Sequence, residues 1–160
     1  MKLRNLYCFL LIICAPLTLV AQSQVDIDAL KKVLDRYLST QINDQMLAQG
    51  ELMANDRIWM DNVVGRRTDN LENMRLQQQW VDHRKKVLPG FSQQVEDRDK
   101  LIKFYADGKI AVVSFYRYAT FLFPSGTSEE IKKEYAATAE WIMLVLEKRD
   151  DKWVIVATHV

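Results

Sequence analysis

His159 and Asp61 are the side chains of this sequence best suited to move a proton. His159 closes the run "WVIVATHV", one residue from the last. An imidazole titrating near 6.5 suits general-base work at neutral pH. Asp61 lies in "RIWMDNVVG", where alternation sets Arg57, Trp59, Asp61 and Val63 on one face and Ile58, Met60, Asn62 and Val64 on the other. A carboxyl held against an indole in apolar surroundings titrates high, as an acid–base residue must. Plainer roles compete with both. Arg57, on the same face, would pair with Asp61 at a surface, and His159 would serve as a hydrogen-bonded or interface histidine. His83 adjoins Asp82, but neighbours on a helix point apart, so they form no dyad.

Ligand contacts are a separate class. Tyr37 falls on an apolar helix stripe, from which its hydroxyl would enter a pocket as a donor. Trp59, Trp80, Tyr116 and Trp141 are the aromatic residues placed to line an apolar pocket, as is Tyr118, although aromatic residues in alternating strands are most often core. No metal is expected, because the two histidines stand far apart without paired spacing. No cofactor is expected either: there is no Gly-rich phosphate loop, nucleophile elbow or Ser-x-x-Lys. The run from Glu96 to Lys100 reads as a solvated strand edge, and Arg66-Arg67 as a charged turn that would also meet an anionic ligand.

The chain opens with MKLRN, then the fifteen-residue apolar run LYCFLLIICAPLTLV, then AQSQ. This is the layout of a secretory signal peptide, too short for the roughly 20 residues of a membrane-spanning helix. Cleavage after Ser23 places Ala21 at the minus-three position; cleavage after Ala21 is the alternative. Residues 1–23 are therefore expected to be removed, and the protein to be exported to a periplasm or secreted, free of the membrane thereafter. Cys8 and Cys14 leave with the leader, so no disulfide is expected. Loss of Lys2 and Arg4 leaves 20 Lys and Arg against 21 Asp and Glu, a net charge of −1. Such a balance gives no electrostatic case for nucleic acid.

The remaining 137 residues, 24–160, make one domain with enough chain for a packed core. Helical spacing of Ile27, Leu30, Leu34, Tyr37, Leu38 and Ile42 predicts a helix over 26–42. A shorter one carries Met46, Leu47 and Met53 and breaks at Asn55-Asp56. The "RIWMDNVVG" strand ends at Gly65. Thr68 or Asp69 then opens a third helix, with Glu72 three residues after Asp69 as a capping box, and Pro89-Gly90 stops it. From Phe91 the period falls to two. Strands are expected over Gln93–Tyr105, Lys109–Phe123, "AATAEWIMLVLEKR" and "WVIVATHV", with turns at Asp107-Gly108 and Asp150-Asp151. Residues 128–134 read as a loop or wide hairpin connection. In the last strand, strict alternation puts Trp153, Ile155, Ala157 and His159 on one face. Both faces of the later strands are apolar, so helices cover one and a second subunit is expected on the other.

The strands "DGKIAVVSFY" and "AEWIMLVLEK", the ending "DDKWVIVATHV" and the entry "MANDRIWMDNVVGRR" resemble the nuclear transport factor 2-like superfamily and, within it, its SnoaL-like group. The resemblance spans the whole domain. It implies an α+β fold, α-α-β-α-β-β-β-β, in which a cone-shaped, strongly curved antiparallel sheet packs on three N-terminal helices around a pocket. Members use such a pocket to bind a ligand or to run isomerase, dehydratase or hydrolase chemistry, and others serve as dimerisation modules. No residue set here matches a family acid–base cluster one for one. The expected function is thus binding of a small apolar or amphipathic ligand by a homodimer formed through the sheet. Two alternatives stand beside it: a cofactor-free lyase or isomerase using Asp61 with His159 or Tyr37, and an interaction module without a ligand.

Overall fold

A computed structural model describes residues 23–61, 65–135 and 138–160. The expected leader, apart from Ser23, lies outside the described residues, with Cys8 and Cys14; so do Asn62, Val63 and Val64. Helix α1 (Gln24–Ile42) buries Leu30, Leu34 and Tyr37, which recur at four and three residues and so share one stripe. Ser23 caps it, its Oγ accepting from the Asp26 N–H at 3.1 Å. Helix α2 (Met46–Gly50) is short. The expected break at Asn55-Asp56 is not found: strand β1 (Met53–Asp61) already begins at Met53 and carries both residues on its exposed stretch. Burial of Met53 and Ala54 and pairing with the last strand override the local turn preference of Asn-Asp. Strand β1 pairs antiparallel with β2 (Gly65–Arg67).

Helix α3 (Asn70–Val87) starts where Asp69 accepts from the Glu72 N–H at 3.0 Å and ends with Arg84, Lys85 and Lys86 over its last turn, matching the helix dipole. Removing that cap by Asp69→Ala is expected to cost about 1 kcal/mol in urea unfolding; a change below about 0.3 kcal/mol would show the cap to be idle. Strands β3 (Ser92–Tyr105) and β4 (Ile110–Leu122) form a hairpin whose connection is the four residues 106–109 rather than two. Helix α4 (Glu129–Glu134) replaces the expected loop, capped by Ser128 Oγ. Strands β5 (Thr138–Arg149) and β6 (Lys152–His159) close through Asp150 and Asp151, both at positive φ (47° and 60°), the geometry of a two-residue turn between twisted strands.

The six strands lie in the order β2-β1-β6-β5-β4-β3 in a curled, unclosed sheet. All neighbours are antiparallel except β1 and β6, which run parallel. The concave side packs on the helices through Leu30, Leu34, Val113, Leu144, Leu146 and Ile155, all buried. Three register shifts change which residues face inward, the first of them in β1 between Met53 and Ile58. In β3, Asp99 adopts φ 55° between the pairs Arg98–Tyr116 and Leu101–Ser114. In β6, Leu146 pairs with Ile155 but Val145 with Ala157, leaving Val156 as the extra residue. Strict alternation therefore fails after Ile155: Thr158 and Val160 turn toward the concave side, and Ala157 and His159 turn away.

Candidate functional site

The concave sheet and helices enclose a cavity of about 220 Å³. Its floor is built on β1 and β6. Arg57 lies on β1 within the register shift between Met53 and Ile58, and is 2% exposed. Its Nε donates to Asn70 Oδ1 and its Nη1 to Thr158 Oγ1, both at 3.0 Å, and its Nη2 reaches Met74 Sδ at 3.6 Å. All three partners are uncharged, and no ion pair reaches Arg57 among the described residues. Burial pushes its guanidinium below the ordinary value, and Tyr37 pulls back only in part. A guanidinium has five N–H donors; three are used, leaving two for an occupant.

The cavity wall on the other side carries a row across three strands, because Asp97, Arg117 and Glu140 are directly paired in register. Arg117 and Asp97 form a bidentate pair at 2.8 and 2.9 Å with both side chains almost fully buried. Burial works most strongly against the Arg117 charge. The Asp97 hydrogen bond and Tyr37 together outweigh it and hold the guanidinium above its usual value. The Tyr37 ring stands 5.1 Å from that guanidinium. Glu140 makes no ion pair among the described residues. Gln41, Gln49 and Gln77 come in from the helices, with Trp59, Met74 and Ile142 as apolar wall.

A second chamber of about 250 Å³ adjoins the first and shares Gln41, Arg117 and Glu140 with it. Trp80, Phe121 and Tyr135 line it. Tyr135 lies 5.9 Å from Trp80 and 6.2 Å from Phe121 between ring centroids. Arg84, also lining it, is balanced by Asp44 at 2.5 Å.

The residues expected from sequence divide three ways. Tyr37 and Trp59 line the inner chamber, and Trp80 the outer one. Tyr116 and Trp141 do not: they pair across β4 and β5 on the convex face, each 47% exposed. His159 joins them there, 5.8 Å from Trp141, since the β6 bulge reverses its parity; its Nδ1 finds no partner among the described residues. Asp61 ends β1 opposite Gly65, while the described lining of the cavity passes through Arg57 and Trp59. His159 and Tyr37 thus lie on opposite sides of the sheet and share no void. The surface pairing expected between Arg57 and Asp61 is replaced by Arg57's contacts with Asn70 and Thr158. The lining keeps the expected apolar surface but adds amide and charged groups to it from Gln41, Gln49, Arg57, Gln77, Arg117 and Glu140. Sequence reasoning missed Arg57, Gln41, Gln49, Gln77, Arg117 and Glu140. The one available signal was the inward parity of Arg57 with Trp59. Among the described residues no group of three His, Cys, Asp or Glu could hold a metal ion, and no helix is long and apolar enough to cross a membrane.

No protein-family model and no curated protein matches the chain. Solved structures do. An NTF2-like protein with a cystatin-like fold from Novosphingobium aromaticivorans aligns over 99% of this chain and 88% of its own, at 13% identity and a TM-score of 0.63. An NTF2-like protein of unknown function from Shewanella oneidensis covers 83% of this chain and 96% of its own, at 15% identity and a TM-score of 0.60. A Catenulispora acidiphila protein, solved in complex with S-DNPA, covers 85% and 92%, at 8% identity and a TM-score of 0.63. Identities this low speak to architecture and not to activity. With its curled six-stranded sheet wrapped over helices, this chain has the nuclear transport factor 2-like fold.

Proposed function

We propose that this chain is an exported small-molecule-binding protein whose ligand occupies the cone cavity and is anchored by Arg57. The observation that carries the reading is a buried cation with no carboxylate against it. Such a charge is costly to keep in a protein interior unless something compensates it. An occupant accepting its two remaining N–H groups would do so. The complex of the Catenulispora acidiphila protein with S-DNPA supports ligand binding by this architecture. The leader MKLRN with its apolar run supports export. Self-association through the convex face is part of the same proposal. Tyr116, Tyr118 and Trp141 are half-exposed there beside Leu101, a patch that favours a covering partner.

Native mass spectrometry of protein purified from its host tests both parts at once. The wild-type chain is expected as a dimer carrying a small molecule. Arg57→Met, checked for folding by circular dichroism, is expected to stay dimeric and lose that molecule. An empty wild-type monomer overturns the proposal.

A further inference from the structure

The charges of the two chambers tally in a way that specifies the ligand more closely. Arg117 is neutralised by Asp97, and Arg84 is paired with Asp44, whose other oxygen lies 3.5 Å from the exposed Lys85 outside the chamber lining. Two groups remain, one of each sign: Arg57 in the inner chamber and Glu140 at the boundary shared by both. Neither has an ion-pair partner among the described residues, and they line one cavity without neutralising each other. An occupant carrying only an anion would satisfy Arg57 but would bring its charge toward Glu140. One carrying only a cation would leave Arg57 bare. Beyond Glu140 the lining gains three aromatic rings, Trp80, Phe121 and Tyr135, which stand beside Arg84 and Gln93.

We infer that the cavity takes a small zwitterion, an amine-bearing carboxylate with an apolar side chain. Its carboxylate meets Arg57, its ammonium meets Glu140, and its side chain stacks in the outer chamber among Trp80, Phe121 and Tyr135. The inference rests on the cavity reading proposed above and adds the second charge and the direction of the tail. Gln41, shared by both chambers, adds a neutral donor and acceptor at the ammonium end.

Four probes separate the parts: L-phenylalanine, 3-phenylpropionate without the ammonium, phenethylamine without the carboxylate, and glycine without the tail. Isothermal titration of the full domain is expected to rank phenylalanine first, with each single deletion weakening binding about ten- to a hundred-fold. Glu140→Gln, which keeps shape and removes charge, is expected to bring phenylalanine down to the affinity of 3-phenylpropionate while leaving the latter unweakened. Trp80→Ala, at an exposed helix position, is expected to narrow the gap between phenylalanine and glycine. Equal binding of phenylalanine and 3-phenylpropionate, or equal losses for both in Glu140→Gln, overturns the inference. Should none of the four bind while host-purified protein carries an Arg57-dependent molecule, the zwitterion is wrong and the cavity reading survives. An empty host-purified protein with no response to any probe removes both.

Discussion

Asp97→Ala is expected to destabilise the domain by about 3–5 kcal/mol, the usual cost of stripping one partner from a buried ion pair. The Asp97 and Arg117 side chains are 2% and 6% exposed, so water cannot take over the role of the missing carboxylate. Arg117 would be left against the Tyr37 and Phe115 rings, at 5.1 and 5.5 Å, and beside Glu140, its register neighbour on β5, which makes no ion pair with it in the intact protein. The pair sits in the middle of β3 and β4, on residues directly opposite in register, and the loss therefore falls on the sheet itself. Guanidinium unfolding measures it. The diagnostic companion is Asp97→Ala with Arg117→Met, where no orphan charge remains and most of the loss should return. A single variant within about 1 kcal/mol of the parent would sink the account of this pair as a buried, mutually dependent unit.

The second large effect belongs to the apolar half of the same sheet. Leu144 is completely buried at the centre of β5, between β4 and β6. Truncation by Leu144→Ala is expected to cost about 2–5 kcal/mol, from lost transfer energy plus the void left behind. Three residues away, Trp141 faces the other side and keeps 47% of its surface exposed. Trp141→Ala should cost the monomer much less despite deleting a larger group. Denaturation midpoints at low protein concentration compare the two, and a larger loss for Trp141 than for Leu144 would mean that the face assignment is reversed.

Periodicity was a good guide wherever one residue step meant one change of face. The stripe Leu30, Leu34, Tyr37, the Asp69 cap and the Phe115–Phe121 parity of β4 could all be read from the chain. The failures have one physical origin, contacts made at long range. A bulge at Val156 depends on how β5 and β6 register, which no window of β6 alone records, and it carried His159 to the far face. Asn55 and Asp56 favour a turn locally but are held in a strand by pairing to a segment about a hundred residues later. Arg57 reads as a surface cation because its partners, Asn70 and Thr158, lie 13 and 101 positions away. The glutamines of the cavity carry no local signal that sets them apart from other helix glutamines, for the same reason. Aromatic character alone was equally ambiguous: it marked Trp59 and Trp80 at the chambers, and Tyr116 and Trp141 on the face that points away from them.

The parallel join between β1 and β6 has a consequence for how the molecule is made. β1 finds no neighbour but β2 until β6 exists, so the two arms of the sheet stay separate while the intervening chain is synthesised. Without β6, β1 has a bare strand edge and Arg57 lacks Thr158, the kind of surface that holding chaperones exist to shield. The floor of the cavity is thus incomplete until the final strand lies between β1 and β5, the strands it joins.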